Sequence, residues 1–315
     1  MTSMPVTSRY AVLSIAAALL TMALKFAAWK ITGSVGLLSD AMESFVNLGA
    51  ALTAFTLLWV AAQPPDAGHA YGHGKAEYFA GVFEGVLIVF AATAILWAAL
   101  PRLVHPQPLQ HSLPGLSVTA LAAAVNGGVS WVLRRAGERL HSVALRADAA
   151  HLMGDVWTSV ALIVGVGLVA LTDWYVLDPL LAIAAAAWIL WTGIHLVRES
   201  TSGLMDAAWP EDALARLHAE LDRHRAPGID FHAIRTRRSG PLNFVSMHVL
   251  VPGEWSVQRA HDFVETVEAG IAAQFSPVSV LTHLEPIEDP LAHHDLDLGR
   301  PPPDPAAGDL HETRG

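Results

Sequence analysis

The chain has 315 residues, of which 53% are hydrophobic and only 15% are charged. Soluble domains carry about 25% charged residues, so the composition indicates a membrane protein, whose outer face is solvated by lipid. The sequence contains 16 histidines and no cysteine, which excludes disulfides and thiolate metal sites. A net charge of −10 argues against nucleic acid as a partner.

Apolar segments dominate the first two thirds of the chain, and each is near the length of about 20 residues that a membrane-spanning helix needs. They predict a domain of six transmembrane helices over residues 1–206, embedded in a lipid bilayer. The second and fifth segments carry polar residues, which lowers their hydropathy. The six segments are Arg9–Ile31, Val35–Ala62, Phe79–Leu100, Leu116–Leu133, Val143–Leu171 and Pro179–Val197.

Basic residues in the short flanks of these segments predict their orientation, because cytoplasmic flanks are enriched in lysine and arginine. One side of the membrane would carry Arg9, Lys75, Arg134, Arg135, Arg139, Arg146 and Arg198. The other side would carry Lys30 and Arg102. This imbalance predicts that both termini are cytoplasmic.

The composition changes after Arg198, where residues 207–285 have the patterns of a small soluble α+β domain. The predicted order is helix, strand, strand, helix, strand, with a hairpin turn at Arg238–Pro241. The predicted elements are Glu211–His224, Ile229–Arg237, Leu242–Val251, Ser256–Phe275 and Val278–His283. Residues 286–315 are rich in proline, aspartate and glycine, and we expect this tail to be disordered.

An internal repeat links the second and fifth segments. Ser34–Asn47 aligns with Ser142–Asp155 at a constant offset of 108, and Asp40 falls on Asp148. The two segments are three apart, so they cross the membrane in opposite directions, as expected for an inverted repeat. We expect structural roles for the two matched aspartates, in helix-end or interhelical hydrogen bonds.

Further polar residues of the repeat lie on one face of each helix. The first copy contributes Glu43 and Asn47, and the second contributes His151 and Asp155. Ionisable groups within a membrane usually face the interior of the helix bundle, so the four can meet. One imidazole and three oxygen ligands suit a divalent first-row metal in tetrahedral geometry. Mutual pairing for helix packing is the alternative, but matched positions in a repeat favour the metal site.

Several motifs stand out, in the order SVGLLSDAMESFVNLGA, DAGHAYGHGKAE, ADAAHLMGDVWTS, FHAIRTRRSGP and VLTHLEP. With them the chain resembles, over nearly its whole length, the cation diffusion facilitators of the ferrous-iron and zinc efflux branch. This resemblance implies a homodimeric metal/proton antiporter with six helices and a cytoplasmic ferredoxin-like domain. By position it implies the same four transport-site residues, although the family more often has Asp or His at Glu43 and Asp at Asn47.

The resemblance also implies two further metal sites. Asp66, His69 and His73 match a loop site found in one branch of the family, and solvated loop histidines are the alternative. In the cytoplasmic domain, a two-metal cluster at the dimer interface would be bridged by Glu285, where the family more often has Asp. The residues that would hold this cluster are His232, His248, His261, His283 and Glu285.

Together these features predict efflux of a divalent metal, with zinc or ferrous iron first and cobalt, manganese or cadmium next, in exchange for protons. The protein would be a homodimer in a bacterial inner membrane. A membrane metal sensor is an alternative. An intramembrane metal-dependent hydrolase is disfavoured, because no HExxH motif occurs and four protein ligands leave no open metal position. We therefore expect no enzyme activity.

Overall fold

The computed structural model of the chain has long helices in its first part and a small mixed sheet in its second, as the sequence predicts. It divides into two compact units. The first contains residues 1–207 and 239–241, and the second contains residues 208–238 and 242–315. The structure describes residues 6–32, 35–105, 113–172 and 174–293.

Long helices account for most of the described residues of the first unit. They are α1 (Val6–Thr32), α2 (Val35–Ala61), α3 (Ala76–Val104), α4 (Leu113–Leu140), α5 (Val143–Thr172) and α6 (Leu177–Leu204). Within the described residues, α1, α3, α4 and α6 contain stretches long and apolar enough to cross a membrane. The helices α2 and α5 carry the polar repeat, which explains why their hydropathy is lower.

The helix α4 extends to Leu140, seven residues beyond its predicted end. The additional residues include Arg134, Arg135 and Arg139. Hydropathy marks only the part of a helix that lies in lipid, and arginine is a good helix former in water. The extension therefore lies outside the apolar span that the sequence pattern could detect.

Close packing between α3 and α6 fixes the position of α3. These two helices share the most extensive helix–helix contact, followed by α4 with α5 and α1 with α2. A Cβ atom on Gly85 of α3 would lie 2.7 Å from Cγ2 of Val197. A Cβ atom on Gly193 of α6 would lie 2.9 Å from Cγ2 of Ile88. Small residues at a helix–helix interface within the membrane let the two backbones approach closely. This close contact restricts sliding of α3 along α6.

The amino-terminal end of α5 is held by α3. Glu77 is buried, and its carboxylate interacts with the side chain of Ser142 and the backbone N–H groups of Val143 and Ala144. The first N–H groups of a helix have no partner within it, so a carboxylate placed there satisfies them. This contact sets the height of α5 relative to α3.

The second unit contains α7 (Glu211–Asp222), β1 (Asp230–Ser239), β2 (Leu242–Val251), α8 (Val257–Phe275) and β3 (Val278–Pro286). Its sheet has the order β1-β2-β3, in which β2 and β3 are parallel. A two-residue turn joins β1 to β2 as a hairpin, and α8 is the crossover between β2 and β3. This arrangement confirms the predicted α+β order. Ser256 caps α8, as its hydroxyl accepts a hydrogen bond from the N–H of Arg259.

One face of the sheet packs against both helices of this unit. Leu217 and Leu221 of α7 meet Val249 of β2 and Val267 and Ile271 of α8 in a core where each is fully buried. Each such side chain stabilises the fold by about 1.5–3 kcal/mol relative to exposure. The segment predicted to be disordered begins with the end of β3 and a short 3-10 helix at 290–293, and its residues 294–315 lie outside the described part of the chain.

Candidate metal-binding sites

Three of the four residues predicted for the transport site lie together in the first unit. Nδ2 of Asn47 on α2 donates a hydrogen bond of 2.6 Å to Oδ2 of Asp155 on α5. Nε2 of His151 lies 3.2 Å from Oδ1 of the same asparagine. We refer to these three residues as the membrane group. The fourth residue, Glu43, lies one turn before Asn47 on α2, and its side chain is outside the described part of the structure.

The hydrogen bonds within the membrane group define which atoms carry protons. An amide oxygen can only accept a hydrogen bond, so Nε2 of His151 is the donor toward Asn47. The amide nitrogen of Asn47 then donates to the carboxylate of Asp155. The group is thus a chain from an imidazole through an amide to a carboxylate, and it joins the two copies of the repeat.

A cavity of about 170 Å³ lies beside the membrane group. Its wall includes Asn47 and Asp155, together with Lys25 of α1, Asn126 of α4 and Thr158 of α5. A water molecule takes about 30 Å³ in the liquid, so the cavity has room for a cation with several waters. Two of the predicted ligands, Asn47 and Asp155, therefore face a space that an ion could occupy.

Two polar residues outside the predicted ligand set, Asn126 and Glu84, lie against the membrane group. Nδ2 of Asn126 donates a hydrogen bond of 3.3 Å to Oδ2 of Asp155. Glu84 of α3 is 1% exposed, and its Oε2 lies 3.8 Å from Nδ1 of His151. The sequence signal that could have identified Glu84 is a carboxylate within an apolar segment. Such a group is energetically costly in lipid and is often functional. The sequence could not show that this segment packs against α5.

Asp148 has a different environment from the membrane group, although it belongs to the same repeat. It is 2% exposed, and its Oδ1 accepts a hydrogen bond of 2.9 Å from the hydroxyl of Ser14 on α1. This interhelical hydrogen bond is of the kind expected from the sequence. The matching side chain of Asp40 lies outside the described part of the structure.

The loop residues Asp66, His69 and His73 form a second group. Oδ1 of Asp66 lies 3.3 Å from Nδ1 of His69, and Oδ2 lies 3.5 Å from Nε2 of His73. Asp66 also accepts hydrogen bonds from the backbone N–H groups of Gly68 and His69, at 2.9 and 2.7 Å. The bond from the N–H of His69 is the main reason why the pKa of Asp66 lies below its ordinary value. One ligand atom from each of the three side chains lies within 4.8 Å of the others, which is close enough for them to share a metal ion.

The third group lies on the sheet of the second unit, and we refer to His232, His248 and Glu285 as the tail group. Glu285 is 7% exposed. Its Oε2 lies 2.9 Å from Nε2 of His232, and its Oε1 lies 3.2 Å from Nδ1 of His248. The strand register explains this convergence, because Glu285 pairs with Leu250, two residues beyond His248. Side chains two residues apart on a strand point to the same face.

The remaining two residues predicted for this cluster have different positions. His283 is directly opposite His248 in the parallel register, and its Nε2 lies 3.5 Å from Oε1 of Glu285. His261 lies on α8, where it is 59% exposed and its described ion contact is with Glu265, 3.9 Å away. The structure of one chain therefore places His283 at the edge of the tail group, and it places His261 in the solvent-exposed face of α8.

Comparison with known families identifies both units. Residues 11–205 match the cation efflux transmembrane domain, and residues 209–287 match the cytoplasmic domain of cation efflux proteins. This chain belongs to the cation efflux family. The resemblance to the cation diffusion facilitators is thereby confirmed, as is the predicted combination of membrane helices with a cytoplasmic domain.

Relatives of this cation efflux protein match it along most of their length. An uncharacterized transporter of Synechocystis sp. is 51% identical over 281 residues, which cover 89% of this chain and 91% of the relative. The cation-efflux pump FieF of Cronobacter sakazakii is 32% identical over 284 residues, with 89% and 92% covered. A solved structure of the zinc form of CzrB is 30% identical, with a TM-score of 0.24 and coverage of 25% of this chain and 90% of that chain.

Membership of the family settles the general class of activity. The cation efflux protein is an integral membrane transporter that exports metal cations, and it is not an enzyme. This confirms the expectation that no hydrolase operates at the intramembrane site.

Proposed function

We propose that this protein exports zinc or ferrous iron in exchange for protons, through a single site made of Glu43, Asn47, His151 and Asp155. The observation that carries the proposal is the membrane group, in which an amide of α2 bridges an imidazole and a carboxylate of α5. Transporter sites lie where inverted repeats meet, and these residues come from both copies.

The ligand chemistry supports a divalent first-row metal. Imidazole suits zinc and iron, and carboxylate oxygen completes a tetrahedral zinc site. Two carboxylates, Glu43 and Asp155, would neutralise the charge of the ion. The amide of Asn47 is a weaker ligand, and its oxygen becomes available only when its hydrogen bond with His151 breaks. Cobalt, manganese and cadmium would bind the same set of ligands.

Proton coupling follows because a proton and a metal ion compete for the same nitrogen of His151. While Nε2 of His151 donates its proton to Asn47, this nitrogen has no lone pair for a metal. Metal binding requires a deprotonated ligand and releases protons. A free histidine titrates near pH 6.5 or so, close to physiological pH. Metal and protons thus exclude each other, and rocking of the two repeat halves would expose the site to each side in turn.

The remaining expectations complete the proposal. We infer that both termini are cytoplasmic, that the membrane is a bacterial inner membrane and that the protein is a homodimer. The predicted ligands of the cytoplasmic domain would bind metal where two chains meet, with Glu285 as the bridging group. His283 lies at the edge of the tail group of the same chain, whereas His261 would be supplied across the dimer interface. Metal bound to this domain would make export respond to the cytoplasmic metal concentration. The loop residues Asp66, His69 and His73 would form a separate, peripheral metal site.

The central experiment measures metal flux into proteoliposomes that contain an internal fluorescent zinc indicator. With an imposed pH gradient, the parent protein is expected to move zinc and to move protons in the opposite direction. Asp155→Asn and His151→Ala are expected to reduce both fluxes to the level of protein-free vesicles, because the first replaces a charged carboxylate ligand with a weaker neutral amide and the second removes the imidazole.

Matched control variants keep the interpretation specific. Glu138→Gln changes an exposed carboxylate of α4 that pairs with Arg134, and His195→Ala changes a membrane histidine stacked on Trp191. Both are expected to retain parental flux. Parental flux in both ligand variants would contradict the site, and zinc flux without a proton flux would contradict antiport. Zinc binding with no flux in any variant would favour a metal sensor.

A further inference from the structure

Glu84 is a buried carboxylate to which the transport mechanism has so far assigned no role. It lies on α3 and is 1% exposed. Among the described residues, neither of its two oxygens accepts a hydrogen bond. An ionisable group in the interior of a membrane protein is expensive unless it has a compensating partner. We therefore identify the groups around Glu84 that could stabilise a carboxylate at this position.

The nearest polar partner of Glu84 is the imidazole of His151. Oε2 of Glu84 lies 3.8 Å from Nδ1, while Nε2 on the other side of the ring faces Asn47 at 3.2 Å. The two nitrogens of one imidazole thus point to two different groups. One of these is the proposed ligand set, and the other is a carboxylate that does not belong to it.

Metal-ligating histidines usually donate the N–H of their second nitrogen to a carboxylate, carbonyl or water. That hydrogen bond fixes the tautomer and the direction of the ring, and it makes the ligating nitrogen a better donor to the metal. In this site, a proton on Nδ1 that is directed at Glu84 would leave the lone pair on Nε2. The separation of 3.8 Å is longer than a hydrogen bond, so the contact must shorten when the ring takes up this state.

The backbone around Glu84 is well suited to hold a carboxylate in place. The next residue, Gly85, is in close contact with Val197, and Gly81 one turn earlier lies closer still to Ser200 of α6. A Cβ atom on Gly81 would clash with Oγ of Ser200 and would lie 3.1 Å from Cγ1 of Val143 on α5. The helix that carries Glu84 is therefore fixed against α6 and approaches α5.

We propose that Glu84 is a positioning residue of the transport site, which accepts a hydrogen bond from Nδ1 of His151 and directs Nε2 toward the metal. The inference rests on the proposed function, because it assumes that His151 binds the transported ion. Glu84 itself does not bind the metal in this scheme. Its effect is on the affinity of the site, and it should appear in the KM for metal more than in the maximal rate.

The test compares zinc transport by the parent with Glu84→Gln and Glu84→Ala over a range of zinc concentrations. Loss of an outer-shell partner lowers metal affinity by about 10- to 100-fold, so Glu84→Ala is expected to raise KM by that factor. Glu84→Gln keeps the shape and one acceptor oxygen, so it should raise KM less. This partial rescue, with a maximal rate near that of the parent, is not expected from a merely structural role.

Glu138→Gln is the control, since it neutralises an exposed carboxylate of α4 that pairs with Arg134. It should leave KM unchanged. Unchanged KM in both Glu84 variants, or a lower maximal rate at parental KM, would overturn the positioning role. If Glu84→Ala does not fold, Glu84→Gln alone decides. Asp155→Asn separates the two proposals, because flux in that variant equal to the parent removes the proposed site itself.

Discussion

The membrane group and the tail group use the same ligand types but are assembled differently. In the tail group, neighbouring strands fix the distance between ligands, and a buried carboxylate faces imidazoles directly. In the membrane group, the ligands come from two helices that are 108 residues apart in the sequence, and an amide stands between imidazole and carboxylate. A strand register cannot change without breaking the sheet, whereas helices can move against each other. The tail group is thus suited to retain a metal, and the membrane group to bind and release one.

The largest expected effect separates the two groups by function. Asp155→Asn should abolish zinc flux in proteoliposomes and leave metal-dependent association of the cytoplasmic domains intact. Glu285→Gln should abolish that association, measured by crosslinking of the full-length protein with and without zinc, and retain substantial flux. Equal loss of flux in both variants would show that transport through the membrane group depends on the tail group.

A second comparison tests how the tail group is completed in the dimer. Glu285→Gln removes the carboxylate that lies within 3.5 Å of three imidazoles, so it should eliminate the effect of zinc on crosslinking. His261→Ala removes a ligand that would come from the other chain, so it should weaken the effect and raise the zinc concentration required. Arg259 lies on the same helix and stacks on Trp255, so Arg259→Ala should leave the zinc response unchanged. Crosslinking that is independent of zinc in the parent would contradict the metal-bridged interface.

A smaller effect should follow from disturbing the helix packing that supports the membrane group. Gly85→Ala would place a Cβ atom 2.7 Å from Val197 and 3.2 Å from the carbonyl oxygen of Gly193, which is a backbone atom that cannot easily move. Such overpacking costs about 1–3 kcal/mol, so thermal unfolding of the membrane unit should occur at a lower temperature. Gly128→Ala is the matched control, since nothing in the described structure lies within 4 Å of its Cβ position. Equal stability of the two variants would argue against tight α3–α6 packing.

The smallest effect concerns the loop residues Asp66, His69 and His73. Unlike the residues of the membrane group and the tail group, Asp66 and His69 are exposed. The pKa of Asp66 is lowered in the folded protein, so its stabilising effect on the loop is fully present above the ordinary carboxylate pKa. It is lost as the pH falls through the lowered folded-state pKa. Protection of the Gly68 and His69 amides, which donate to this carboxylate, should therefore decrease at acid pH when measured relative to their intrinsic exchange rates. The pH dependence should disappear in Asp66→Asn, and its persistence would assign the titration to another group.

The sequence alone was sufficient to predict the architecture, for a physical reason. Lipid requires long apolar helices and water requires amphipathic patterns, so both leave periodic signals within short windows. The strand Leu242–Val251 was predicted with its exact bounds, and the α-β-β-α-β order was correct. The end of α4 was missed, because its last residues are helical in water and carry no apolar signal.

The sequence also predicted candidate ligands, since the repeat places polar groups at matched positions of α2 and α5. Only the tertiary structure decided how these groups meet. The bridging role of Asn47 depends on the packing of α2 against α5, and the approach of Glu84 to His151 depends on the packing of α3 against both α5 and α6. Distances between helices are set by contacts far apart in the chain, and local periodicity contains no record of them. Strand register placed Glu285 beside His248 for the same reason.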